Sequence, residues 1–107
     1  MKKILMIVGS LRQNSFNMQL AKKVAQLLAD KADTAILEYA DVPFMNQDYE
    51  FPTPESVQKA RQAVLNADGI WMFTPEYNYQ IPGVMKNLLD WLSRPVLPND
   101  RQRNSVL

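Results

Sequence analysis

Ile4-Leu5-Met6-Ile7-Val8 is apolar at every position and stops at Gly9-Ser10. A strand with one wet face alternates apolar and polar residues, whereas a strand covered by helices on both faces is a continuous apolar run. The stretch therefore predicts a central strand of a parallel sheet. Met1-Lys2-Lys3 ahead of it imitates a secretory leader, but five apolar residues ending at Gly9 are too few for its hydrophobic region.

Outward from that strand, Leu20, Val24, Leu27 and Leu28 recur at helical spacing from Asn17 onward, with Lys22, Lys23 and Gln26 opposite, which predicts a first helix. Thr34 to Glu38 is short and less apolar and suits an edge strand. Tyr39 to Thr53 is a long loop containing Pro43 and Pro52. Pro54 opens a second helix at its first position, and Val57, Ala60, Val64 and Ala67 mark its buried stripe up to Asp68-Gly69. Ile70-Trp71-Met72-Phe73-Thr74 is the second run that is apolar on both faces. A loop from Pro75 to Pro82 then leads into a third helix carrying Val84, Met85, Leu88, Leu89 and Leu92. Pro95, Pro98, Asn99-Asp100 and polar Arg101 to Ser105 read as a surface segment.

Strands alternating with helices imply right-handed crossovers, an α/β class and a three-layer arrangement with helices on both faces of a parallel sheet. Strand three beside strand one leaves its outer edge without a partner in the chain, and such an edge invites association.

Composition narrows the chemistry. The 107 residues, 47% of them hydrophobic, suit one domain, residues 1–107, that needs no disulfide staples. The absence of Cys and His removes cysteine nucleophiles, imidazole bases, thiolate or imidazole zinc sites and the common haem ligands. A net charge of +1 gives no electrostatic footprint for nucleic acid, and no apolar run approaches membrane length, so a cytoplasmic protein is expected. Met6, Met72 and Met85 read as core filling, and Arg94, Arg101 and Arg103 as a solvated face.

Ligands of doubly wound sheets sit outside the carboxyl ends of the strands, where two loops are placed to carry chemistry. The first, Gly9 to Asn17, supplies hydroxyls at Ser10 and Ser15, a guanidinium at Arg12, an amide at Asn17 and the N-H groups of a helix start. These parts suit a phosphate. They equally suit a helix cap from Ser15 or Asn17 beside a solvated Arg12. Neither G-x-G-x-x-G nor the Walker phosphate loop is present, which excludes both of those nucleotide sites. The second loop, Thr74 to Gly83, sets Glu76 and Asn78 among Tyr77 and Tyr79 between two prolines. It could hold a flat heteroaromatic by edge and face, or be a stiff turn packed on a neighbour.

Gly9-Ser10-x-Arg12-x-x-Ser15-x-Asn17, with Pro75-Glu76-Tyr77-Asn78-x-x-x-Pro82-Gly83-x-x-Lys86-Asn87-x-x-Asp90-Trp91, resembles the NADPH-dependent FMN reductase family, which includes chromate, quinone and azo reductases. The resemblance runs from Lys3 to about Arg94. It implies a flavodoxin-like fold, here only the part with strand order 2-1-3. It further implies FMN with its phosphate on Ser10, Arg12, Ser15, Phe16 and Asn17, and its ring and ribityl chain against Pro75, Glu76, Tyr77, Asn78 and Tyr79. NAD(P)H would be the co-substrate, and quinones, azo dyes, chromate or free flavin the small-molecule acceptors. Homodimers or homotetramers are implied as well. No catalytic side chain is implied, because flavin carries the chemistry; Lys86, Asn87 and Trp91 are expected to cap and pack helix three. Family members continue past the position of Leu107 into further strands and helices, so the domain is expected to be incomplete at its C-terminus. A flavin or mononucleotide binding module, or an oligomerising remnant, each without turnover, are the alternatives.

Overall fold

The N-terminal apolar run becomes β1, Lys2–Val8, in the computed structural model, which describes residues 1–10, 15–74, 83–96 and 105–106, the side chain of Tyr49 excepted. β1 lies between β2, Ala32–Ile36, and β3, Gly69–Phe73, with both pairings parallel, so the order is β2-β1-β3 as expected. Met6 faces Ile36 on one side and Trp71 on the other.

Two-face burial of β1 follows from the helices. On one face Met6, Val8 and Phe73 meet Ala21 of α1, Phe16–Leu27. On the other, Leu5 and Ile7 pack with Ala60 and Val64 of α2, Glu55–Asn66, and with Met85, Leu88 and Leu92 of α3, Gly83–Leu92. Met6 and Ile7 are both 0% exposed, which is the burial a continuous apolar strand needs. Where β3 starts, Asp68 N donates to Lys3 O and Lys3 N donates to the Asp68 carboxylate, both at 2.8 Å. No helix among the described residues is long and apolar enough to cross a membrane.

The structure corrects five expectations. β2 begins two residues earlier than Thr34, because its ladder starts where Ala32 meets Lys2, and the chain peels away after Leu37 N donates to Met6 O. On α1, Leu20 and Leu27 face solvent, while Met18, Ala21, Val24 and Ala25 face the sheet; the short alanines let the helix lie close to the strands. Pro54 is extended and precedes α2 instead of opening it, so Glu55 takes the first turn. Trp71 and Met72 of β3 are exposed, because β3 lies at the sheet edge and only Ile70 and Phe73 reach the packed faces; Met72 therefore does not fill the core. Arg94 is not a solvated charge: its guanidinium grips the carboxylate of buried Glu50. Arg101 and Arg103 lie outside the described residues.

Candidate functional site at the carboxyl ends of the strands

Gly9 N donates to Phe73 O at 2.7 Å, so β1 and β3 stay in register to the point where the first loop leaves the sheet. Ser10, half-buried, follows directly. Ser15 takes extended backbone and caps α1, its Oγ accepting from Met18 N at 3.1 Å. The cap uses only the acceptor side of the hydroxyl, which also carries one donor hydrogen. Helix geometry leaves the N-H groups of Phe16 and Asn17 without an intrahelical acceptor. No acidic side chain occupies the first turn of α1, so nothing there competes with an anion for the positive end of the helix. Phe16 is 78% exposed, which leaves its backbone N-H as what it can offer a phosphate.

Of the expected site residues, Ser10, Ser15, Phe16 and Asn17 are thus gathered around the end of β1 and the start of α1. Arg12 and Pro75, Glu76, Tyr77, Asn78 and Tyr79 lie outside the described residues.

Tyr39 has a role that the sequence did not suggest. Had β2 continued in register, the backbone N-H of residue 39 would have met Val8 O; instead the Tyr39 hydroxyl donates to that carbonyl. One phenol thereby completes the ladder and turns the following loop over the carboxyl end of the sheet. Tyr39 also separates two cavities. One, of about 510 Å³, is lined by Val8, Ser10, Met18, Lys22, Glu38 and Tyr39 among others, which brings Lys22 to the site although helical periodicity places it on the solvent side. The second, of about 240 Å³, lies among Tyr39, Val42, Pro43, Phe44, Val84 and Asn87.

Burial pushes the Tyr39 phenol above the ordinary value of 10.0. A phenol raised in the folded state contributes its full stability below that value and loses it as pH rises through the folded pKa. Denaturant midpoints measured across the alkaline range should therefore fall more steeply for the parent than for Tyr39→Phe. Equal slopes would mean that the buried phenol does not set the alkaline limit.

Lys86, Asn87 and Trp91 were expected to cap and pack α3, and the structure divides them. Lys86 makes an exposed pair with Asp90 at 3.8 Å. Asn87 and Trp91 reach across to the loop after β2: Asn87 Nδ2 and Trp91 Nε1 donate to Pro43 O at 2.8 and 2.7 Å, and Met45 N donates to Asn87 Oδ1 at 2.7 Å.

The described arrangement is the end of β1 and a helix start capped by Ser15, the setting in which α/β sheets hold phosphorylated ligands. Comparison with known proteins places the chain in a family. The family model described as NADPH-dependent FMN reductase matches residues 2–106. The chain belongs to this family. Among curated relatives, a 2-hydroxy-1,4-benzoquinone reductase from a Burkholderia species is 44% identical over 93 residues, 87% of this chain and 51% of that protein. A quinone reductase of Escherichia coli K12 is 37% identical over 94 residues, 85% of this chain and 50% of that protein. The solved structure of FerB, a flavoenzyme NAD(P)H:(acceptor) oxidoreductase from Paracoccus denitrificans, superposes with a TM-score of 0.83 at 35% identity. The superposition covers 90% of this chain and 53% of that one. The chain spans about half the length of the curated relatives it matches.

The described residues fit the phosphate end of the FMN that the family name implies: a capped helix start, free of acid in its first turn, with hydroxyls at Ser10 and Ser15.

Proposed function

We propose that this chain is an FMN-binding subunit of an NAD(P)H-dependent oxidoreductase that delivers electrons to a small-molecule acceptor: a quinone, an azo compound, chromate or free flavin. What carries the proposal is the start of α1, where Ser15 caps the helix and the N-H groups of Phe16 and Asn17 have no intrahelical acceptor, with Ser10 following the end of β1. Ser10, Ser15 and the backbone of Phe16 and Asn17 hold the phosphate, and Arg12 neutralises it. Pro75, Glu76, Tyr77, Asn78 and Tyr79 line the ring and ribityl chain. Bound FMN supplies the hydride and electron chemistry, which suits a chain without Cys or His. The protein's part is to bind, orient and exclude water. The working location is the cytoplasm, with neither nucleic acid nor membrane as a partner.

Titrating free FMN with the chain and following flavin fluorescence tests the site. Saturable quenching is expected, weakened by salt. Arg12→Ala removes charge-assisted bonds worth about 1.5–3 kcal/mol, so the dissociation constant should rise roughly tenfold or more. An unchanged affinity with an unchanged salt dependence would exclude the phosphate assignment. Steady-state NADPH oxidation with a quinone acceptor then separates an enzyme from a flavin-holding module.

A second element of the proposal is self-association, as a homodimer or homotetramer. Trp71 and Met72, 45% and 39% exposed on the edge strand β3, support it, as does the exposed stripe Phe16, Leu20 and Leu27 on α1. Light scattering over a range of concentrations should give a mass that rises from that of the monomer; a constant monomer mass would remove this element.

A further inference from the structure

Phe44 is 86% exposed, an unusual position for a phenylalanine on a loop that is otherwise tied down. The peptide groups on either side of it are both held. Pro43 O accepts from Asn87 Nδ2 and Trp91 Nε1, and Met45 N donates to Asn87 Oδ1, with all three distances between 2.7 and 2.8 Å. A single amide side chain thus grips the residues before and after Phe44, and a buried indole adds a third bond from the same helix. The backbone that presents the ring is ordered before anything binds to it.

Phe44 forms the rim of the cavity of about 240 Å³ whose lining also includes Tyr39, Ala40, Val42, Pro43, Val84 and Asn87. That volume is below the range for drug-sized ligands and suits one or two fused rings. The polar groups of the lining are largely occupied. The Tyr39 hydroxyl is spent on Val8 O, and the Asn87 amide on Pro43 and Met45. Among the described side chains of the lining, what remains is apolar surface and the second hydrogen of Asn87 Nδ2. Among the described residues this lining offers few partners to a charged or sugar-bearing ligand, whereas a flat ring bearing a carbonyl, which Asn87 Nδ2 can meet, would lose little on entering. The cavity also adjoins the first turn of α3, which follows the loop proposed to line the flavin ring.

We propose that Phe44, held in place by Asn87 and Trp91, is the specificity-determining platform on which a planar, apolar quinone acceptor stacks before it is reduced. This rests on the proposed oxidoreductase function for its purpose, but not for the binding itself. Ordering the loop in advance favours affinity by removing the entropy that a mobile loop would lose on binding.

The test is a nuclear magnetic resonance titration of the 107-residue chain, without flavin, with 2-methyl-1,4-naphthoquinone, run beside the FMN fluorescence titration. The amides of Val42, Phe44, Met45, Val84 and Asn87 should shift saturably. Phe44→Ala should weaken the quinone about five- to tenfold, as expected for the loss of an aromatic stacking partner. Phe44→Trp should retain binding, and neither substitution should alter FMN affinity. Because the ring is exposed, both variants should fold like the parent. Quinone binding at Phe44 in a chain that takes up no FMN would overturn the oxidoreductase function and leave the platform standing. FMN binding with no shifts around Phe44, or with shifts that Phe44→Ala leaves intact, would overturn the platform. A Phe44→Ala variant that loses self-association while binding quinone as before would overturn it too, and would assign this face to contact between copies of the chain.

Discussion

Trp91→Ala is expected to destabilise the chain by about 3–5 kcal/mol, the range for deleting a large buried aromatic. Trp91 is 1% exposed and is the largest of the fully buried side chains, so its removal leaves a void that its neighbours cannot close without moving the helix. The loss extends beyond packing. Its Nε1 donates to Pro43 O at 2.7 Å, which ties α3 to the loop that follows Tyr39. Trp91→Phe gives up that bond and the smaller ring of the indole, and should cost about 1–2 kcal/mol, since most of the volume stays and Asn87 still donates to the same carbonyl. Urea denaturation followed by far-ultraviolet circular dichroism measures both. A domain of this size has a total stability of about 5–15 kcal/mol, so the alanine variant should sit close to its unfolding transition under ordinary conditions. A cost below about 1 kcal/mol would mean that the indole neither fills the core nor anchors the loop.

Much of this fold could be read in advance, because it rests on patterns that burial dictates directly. The Ile4 to Val8 run is too short for a helix or a leader and ends at Gly9, which points to a covered strand, and the alternation of elements around it leaves few topologies. The stripes of α2 and α3 were equally legible: Val57, Ala60 and Val64 on one, and Met85, Leu88 and Leu92 on the other, are the residues that pack. Periodicity failed on α1, where apolar residues run most of the way round the helix. Leu20 and Leu27 fit a helical repeat as well as Met18, Ala21 and Ala25 do, and only the sheet decides which set is covered. On β3 the edge position was legible and the burial was not. A strand apolar on both faces reads as covered, yet β3 is the edge strand, and its middle residues remain in contact with solvent.

The site divides in the same way. A Ser ahead of a helical pattern announces a cap, and Ser15 is one. Tyr39 carries no such local signal: its hydroxyl matters because the strand register places it opposite Val8 O, a partner 31 residues away. Asn87 and Trp91 could be assigned to α3 from spacing, but their bonds to Pro43 span 44 and 48 residues and could not be read from either end alone. Contacts made by polar tips across long separations leave no period in the sequence. Arg94 and Glu50 are the extreme case, since a lone charge in a polar segment ordinarily belongs to water.

For that pair, replacing the carboxylate should cost more than replacing the guanidinium. Glu50 is 5% exposed and receives Arg94 Nη2 at 2.7 Å and Nε at 3.2 Å, a two-pronged bond that satisfies both of its oxygens. Arg61 is buried to the same degree but is far less well served: Nη1 and Nη2 reach Thr53 Oγ1 and Trp91 O only at 3.5 and 3.4 Å, and among the described residues Nε has no hydrogen-bond partner. Burial lowers the pKa of Arg61, and the charge of Glu50 restores part of the difference, while the bond to Glu50 raises that of Arg94. One carboxylate therefore compensates two guanidiniums. Arg94→Met leaves Glu50 within the field of the Arg61 charge and removes a side chain that is 26% exposed, so it should cost about 2 kcal/mol. Glu50→Gln keeps the shape, turns an amide hydrogen toward a guanidinium and leaves Arg61 buried without a counter-charge, so it should cost about 3 kcal/mol or more. Denaturant unfolding of the two variants at neutral pH, in low and in high salt, gives the comparison directly. The order should survive high salt, because buried charges are poorly screened. The reverse order would show that Glu50 serves Arg94 alone and that Arg61 is compensated elsewhere. Because Glu50 lies at the end of the loop that begins at Tyr39, the expected order also predicts where the damage appears first: amide exchange should accelerate between Tyr39 and Thr53 before it does in β1, loosening the segment that presents Phe44 while the sheet beneath it holds.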